Sequence, residues 1–151
     1  MLRNRLNDAL KEAMKAKDQC AVSTLRLILA ALKDRDICVR GNGNQDGISD
    51  EDILELLQKM VRQRHDSIEQ YTNGNRPELA KRESDEIEVI ERFLPEPLDE
   101  TDMRGAIEDV LGELDAKTIK DMGRVMGALK ERYPGRMDFG KASAIVKQAL
   151  V

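Results

Sequence analysis

Lys120 and Arg124 stand four residues apart in a segment whose apolar positions recur at helical spacing, and Gly123 and Gly127 repeat that interval beside them. Cations one helical turn apart share a face, and the chemistry open to them is attraction to an anion such as a phosphate. Two glycines inside one stretch of helix cost roughly 1 kcal/mol each against alanine. That cost points to close approach of something to bare backbone, either a neighbouring helix in the same domain or an external partner. Lys117, Lys130, Arg136 and Lys141 extend the set of cations that could reach the same anionic ligand.

Groups for bond-making chemistry are scarce. His65 is the only histidine, set among Arg62, Arg64 and Asp66 off the apolar stripe of its helix, which describes a solvated imidazole. No serine occupies a Gly-x-Ser-x-Gly setting. Cys20 and Cys38 fall in one expected helix, roughly 27 Å apart at the standard helical rise, so they cannot pair there. Both read as small buried or half-buried thiols. The run from Gly41 to Gly47 lacks the Lys-Ser/Thr ending of a phosphate loop, and as a calcium loop begun at Asn42 it puts Ile53 where the bidentate glutamate must stand. It reads as a flexible surface loop. Glu83, Asp85, Glu86, Glu88 and Glu91 form an acidic run with no histidine among them, which suits a solvated face better than a metal site. No catalytic residue, cofactor-binding residue or metal ligand is therefore assigned.

The elements that would carry these residues are helices throughout. Of 151 residues, 40% are hydrophobic, 36% charged and only 3% aromatic, a composition poor in strand formers. Leu2, Leu6, Ala9, Leu10 and Ala13 outline a first amphipathic helix, and Asp18 caps a second that turns Val22, Leu25, Ile28, Leu29 and Leu32 inward. Ser49 caps a long third helix with a stripe of Ile53, Leu57, Met60, Val61, Arg64, Ile68 and Tyr71. Asn73-Gly74-Asn75 stops it, and a fourth helix starts near Pro77 and runs through Phe93, pairing antiparallel with the third. Leu94-Pro95-Glu96-Pro97-Leu98 forbids helix. The expected organisation is an N-terminal helical domain over 1–94, a linker over 95–98 and a three-helix domain over 99–151. In that last domain Asp99 or Thr101 caps the fifth helix, Thr118 the sixth, with Ile119, Met122, Val125, Met126 and Leu129 inward, and Asp138 opens the seventh.

Net charge is −4, which argues against indiscriminate coating of nucleic acid. The average hides an asymmetry. Residues 99–113 hold six acids against Arg104 alone, whereas from Leu114 onward eight bases face four acids. No stretch approaches a membrane span and the N-terminus lacks the apolar core of a secretory signal, so the chain reads as cytoplasmic.

Three runs carry a resemblance: Gln63-Arg64-His65-Asp66-Ser67-Ile68-Glu69-Gln70-Tyr71, Glu86-Ile87-Glu88-Val89-Ile90-Glu91-Arg92-Phe93-Leu94-Pro95-Glu96-Pro97-Leu98, and Lys120-Asp121-Met122-Gly123-Arg124-Val125-Met126-Gly127. In this order and spacing the chain resembles the stand-alone YqeY-like members of the GatB/YqeY family over nearly its whole length. The resemblance implies an all-helical protein whose C-terminal domain is similar to the tail of the B subunit of the glutamine-dependent Asp/Glu-tRNA amidotransferase. There the tail helps hold the tRNA while amide transfer proceeds on other domains and subunits. It implies tRNA as partner, with an aminoacyl-tRNA synthetase or an amidotransferase beside it, and it places Lys120, Gly123, Arg124 and Gly127 in the family motif. Where family members pass directly to Gly/Pro-Lys, this sequence inserts Phe139 before Gly140-Lys141.

The expected function is tRNA binding or assistance to a tRNA enzyme, without independent catalysis. Two alternatives stand beside it. One is a carbon-nitrogen ligase or amidase with glutamine as amide donor, as the family label suggests. The other is a helical protein-protein adaptor that involves no nucleic acid.

Overall fold

The computed structural model describes residues 2–150; Met1 and Val151, the outer ends of the two expected domains, lie outside them. Seven α-helices follow one another, α1 Leu2–Lys15, α2 Gln19–Arg40, α3 Asp50–Asn73, α4 Pro77–Glu91, α5 Glu100–Glu113, α6 Met122–Arg132 and α7 Phe139–Leu150, with a 3-10 turn at Ile119–Asp121. Among the described residues there is no strand. The fold is all-α, and the chain divides into two compact units, Met1–Leu94 and Pro95–Val151.

In the first unit, local chemistry sets the helix ends. The Asp18 carboxylate accepts the Ala21 N–H at 3.1 Å, and Ser49 Oγ accepts the Asp52 N–H at 3.2 Å, so each side chain satisfies a donor that the first turn leaves free. Asp50, Glu51 and Asp52 place negative charge at the positive end of α3. Asn75, in the left-handed region at φ 58°, reverses the chain between α3 and α4, and Pro77 takes the first position of α4, where a missing N–H costs nothing. Leu6, Leu25, Ile28, Ile53, Leu57 and Ile90 are fully buried in one core. Each contributes about 1.5–3 kcal/mol relative to exposure, and truncating Leu57 to alanine would cost about 2–5 kcal/mol. Phe93 is buried in this core although α4 stops at Glu91.

Two polar contacts were not legible in the sequence. The acidic run of α4 is not wholly solvated, because Glu86 Oε2 accepts a hydrogen bond from Arg64 Nε of α3 at 3.0 Å with the two side chains 16% and 12% exposed. Burial, with the charge of Glu86 second, holds the Glu83 carboxyl above its usual range. The loop after α2 is likewise anchored at its far end. Arg3 of α1 forks onto the Asp36 carboxylate and donates to the Ile48 carbonyl at 3.1 Å, while Ile48 N–H donates to Asp36 Oδ1 at 3.0 Å. Gly47 runs beside that carboxylate at φ 86°, and a Cβ there would stand 2.5 Å from Asp36 Oδ1. Only the stretch from Gly41 to Asp46 is uniformly exposed. Cys20 is half-buried as expected, but Cys38 is exposed.

The second unit has its own core of Met103, Ile107, Val110, Val125, Leu129, Met137, Ala142 and Val146. Asp99 caps α5 through the Asp102 N–H at 2.7 Å. Leu98 packs against this core and its N–H donates to the Arg136 carbonyl at 2.8 Å, so the proline-bordered segment is bound into the unit at that point. Asp138 caps α7, with the Gly140 and Lys141 N–H groups donating to Oδ1 at 3.0 and 3.3 Å.

Candidate nucleic-acid interface

The segment that opens α6 differs from the regular helix the spacing suggests. Residues Ile119–Asp121 form a 3-10 turn, and the regular helix begins only at Met122. Tighter winding turns Ile119 away from the core, leaving it 50% exposed rather than inward. From Met122 on, Val125 and Leu129 are fully buried with Met122 and Met126 beside them, so the far side of the helix is fixed as the solvent side.

Gly123 and Gly127 lie on that solvent side. A Cβ built on either would meet no heavy atom within 4 Å. Among the described residues of the second unit no neighbouring helix packs tightly on this pair, one of the two reasons the sequence allowed for it. The backbone is bare toward solvent. Lys130 follows Gly127 at i+3 on the same side, its ammonium 5.9 Å from the ring centroid of Phe139, the first residue of α7, a cation-π distance. Lys120 is exposed at the start of this ridge and takes part in no ion pair among the described residues.

Other cations are partly committed. Arg124 Nη2 donates to Asp121 Oδ1 at 2.8 Å and to the Leu114 carbonyl at 3.4 Å. Lys117 lies 3.4 Å from Asp115, Arg132 pairs with Glu113 of α5, and Arg136 Nε donates to the Glu96 carbonyl at 3.0 Å. Lys141 is exposed on the first turn of α7. The structure thus brings Lys120, Gly123, Arg124, Gly127 and Lys130 onto the outer surface of one short segment. Lys117, Arg136 and Lys141 belong to the flanking turns.

Sequence reasoning missed Asp121, which is more than an opposing charge. Its Oδ2 accepts the N–H groups of Lys117 at 3.1 Å and Thr118 at 3.3 Å, closing the turn that starts α6. Those backbone N–H donors first, and the Arg124 guanidinium after them, hold its carboxyl below the usual range, so it is ionised at neutral pH. The Thr118-x-x-Asp121 spacing, an acid three residues after a capping threonine, is the signal that could have revealed it.

Comparison with known proteins adds the family. The chain matches the YqeY-like protein description over residues 3–150. It belongs to the YqeY-like family. Curated relatives include the altered inheritance of mitochondria protein 41, mitochondrial, of Lachancea thermotolerans, 33% identical over 72% of this chain and 57% of that protein. The protein of the same name from Kluyveromyces lactis is 30% identical over 90% of this chain and 66% of its own length, and that of Candida glabrata is 36% identical over 60% and 48%. The YqeY-like chain spans about half the length of the first of these relatives.

His65 is exposed on α3 and has no hydrogen-bond or ion-pair partner among the described residues. Among the described residues no group of three or more His, Cys, Asp and Glu side chains is placed to hold a metal ion, and no helix is long and apolar enough to cross a membrane.

Proposed function

We propose that this YqeY-like protein is a cytoplasmic tRNA-binding accessory protein, working beside an aminoacyl-tRNA synthetase or an amidotransferase, and that the outer side of α6 meets the RNA. The observation that carries this reading is the bare ridge of Gly123 and Gly127, open to solvent and bracketed by Lys120, Arg124 and Lys130. A helix gives up about 1 kcal/mol at an interior glycine. No packing among the described residues of the second unit repays that cost, whereas close approach of a sugar-phosphate backbone between flanking cations would. Phosphate contacts of this kind position a ligand without reading its sequence. With only two tyrosines and two phenylalanines in the chain, recognition of folded RNA by shape fits better than stacking of single-stranded bases.

The test is tRNA binding across a salt series, wild type against Lys120→Glu/Lys130→Glu. Both side chains are exposed and neither is ion-paired, so folding is expected to change by no more than about 0.5 kcal/mol. Affinity falls, and the salt dependence flattens by about one unit of slope for each phosphate the variant no longer neutralises. Equal affinity for wild type and a folded double variant refutes the interface.

One observation favours the adaptor reading. Between α2 and α3 lies an open cleft of about 510 Å³ with Leu27, Ala31, Leu56 and Met60 along it and charged side chains, Asp34 and Lys59 among them, at its edges; Leu27 is half exposed. If protein capture is the function, Leu27→Asp abolishes it while the α6 charge reversals leave it intact. The glutamine-dependent ligase reading predicts a glutaminase rate that disappears in His65→Ala or Cys38→Ala, which the accessory reading does not.

A further inference from the structure

The open cleft between α2 and α3 carries two pairs of opposites on one surface. Leu27 projects from α2 half exposed, while Ala31, Leu56 and Met60 floor the hollow beside it, so the patch holds both an apolar knob and an apolar hole. Its two walls also differ in charge. Of the charged residues along the cleft, Arg64 is bound to Glu86 and Arg35 is half-buried; the exposed ones are Asp34 on the α2 wall and Lys59 on the α3 wall. Neither of these two makes an ion pair or a hydrogen bond among the described residues. A surface that carries both halves of each match is complementary to itself, and that is what a two-fold contact between identical chains requires. A wholly acidic or wholly basic partner would instead call for walls of one sign.

We propose that two copies of this chain dock through this cleft, about a two-fold axis that passes between its walls. Such an axis lays α2 of each copy along α3 of the other. Asp34 of one copy meets Lys59 of the second, the reciprocal pair forms across the axis, and Leu27 of each copy enters the hollow of the other. The patch is small for a stable dimer, so the pair dissociates in the micromolar range rather than the nanomolar. This contact lies in the first unit and does not depend on the reading of α6.

Symmetry sharpens the test, because every substitution acts twice in the dimer. The full chain and its variants are sedimented from about 1 to about 200 μM, with far-UV melting as a check on folding. Asp34→Lys gives a copy cations on both walls and Lys59→Asp gives a copy anions on both, so each variant alone repels itself. Each is expected to weaken the dimer at least about tenfold. Mixed in equal amounts, the two variants are expected to pair again with about wild-type affinity, since a copy with two cations now meets a copy with two anions. Recovery on mixing also shows that both variants are folded. Leu27→Asp, which places a charge in the apolar hollow, is expected to weaken the dimer at least about tenfold as well.

A wild type that stays monomeric at about 200 μM overturns the proposal and leaves the cleft to a different protein. A dimer indifferent to all three substitutions places the contact elsewhere and overturns it too. So does a mixture of folded Asp34→Lys and folded Lys59→Asp that remains as dissociated as each variant alone.

Discussion

Replacing both ridge glycines by alanine separates folding from binding. Gly127 is in the middle of α6 and Gly123 is its second residue. Alanine at Gly127 gains about 0.8–1.0 kcal/mol of helix propensity, and alanine at Gly123, in a first turn where propensity counts for less, gains a fraction of that. Steric cost is nil, because neither Cβ meets an atom within 4 Å. The sum is about 1–1.5 kcal/mol in favour of the folded second unit. Native-state hydrogen exchange on the intact chain reads this directly: amides near Val125 and Leu129, whose side chains are fully buried, should exchange about tenfold more slowly in Gly123→Ala/Gly127→Ala. Affinity for tRNA should fall in the same variant, since two methyl groups now hold the ligand off the backbone. Unchanged or faster exchange would show that the fold needs these glycines after all. Slower exchange with unaltered tRNA affinity would refute close approach to the ridge.

Three further outcomes follow from the first unit. Glu86→Ala leaves the half-buried Arg64 guanidinium without its carboxylate and should cost about 2–3 kcal/mol in urea unfolding; a loss below about 0.5 kcal/mol would show the pair to be no stronger than a surface contact. The Arg3 fork, aided by the Ile48 N–H, holds the Asp36 carboxyl below its usual range, so its contribution is complete above the unfolded-state pKa near 4 and is lost as pH falls through the lower folded value. Asp36→Asn should therefore cost about 1–2 kcal/mol at pH 7, with the gap to wild type closing below about pH 4; a gap that stays constant down to pH 2 would refute the linkage. Thr24 is fully buried and its hydroxyl has no hydrogen-bond partner beyond the weak thiol of Cys20 beside it; Thr24→Val should raise stability by about 1 kcal/mol, and a comparable loss in chemical unfolding would reveal a bond to that hydroxyl.

Local chemistry made much of the fold legible. Asp18, Ser49 and Asp99 are caps because a short acceptor before an apolar run satisfies orphan N–H groups whatever the tertiary structure does. The inward stripes of α2 and α3 follow from periodicity in the same way. What escaped depends on partners distant in sequence. Glu86 looks solvated within its acidic run because only the α3–α4 pairing brings Arg64 to it, twenty-two residues away. Cys38 looks half-buried from its apolar neighbourhood, yet it lies at the end of α2 where the cleft toward α3 is open. The site residues are visible as a set, since glycines and cations at helical spacing show in one dimension. Which of them are committed to carboxylates is not, because Arg124 has Asp121 within one turn but Arg132 finds Glu113 on another helix.

The Arg64–Glu86 bridge also bears on how α3 and α4 find each other. The stripe of α3 recurs at almost regular intervals, and aliphatic side chains so spaced accept a partner helix displaced by one turn, about 5.4 Å, with little change in buried area. Sliding α4 one way would set Ile90 near Arg64 and strand both charges. Sliding it the other way would offer Glu83 to Arg64 but strip Glu86 of its cation. The bridge thus selects one alignment of the hairpin over its neighbours, and keeps the end of α4 where Phe93 enters the core.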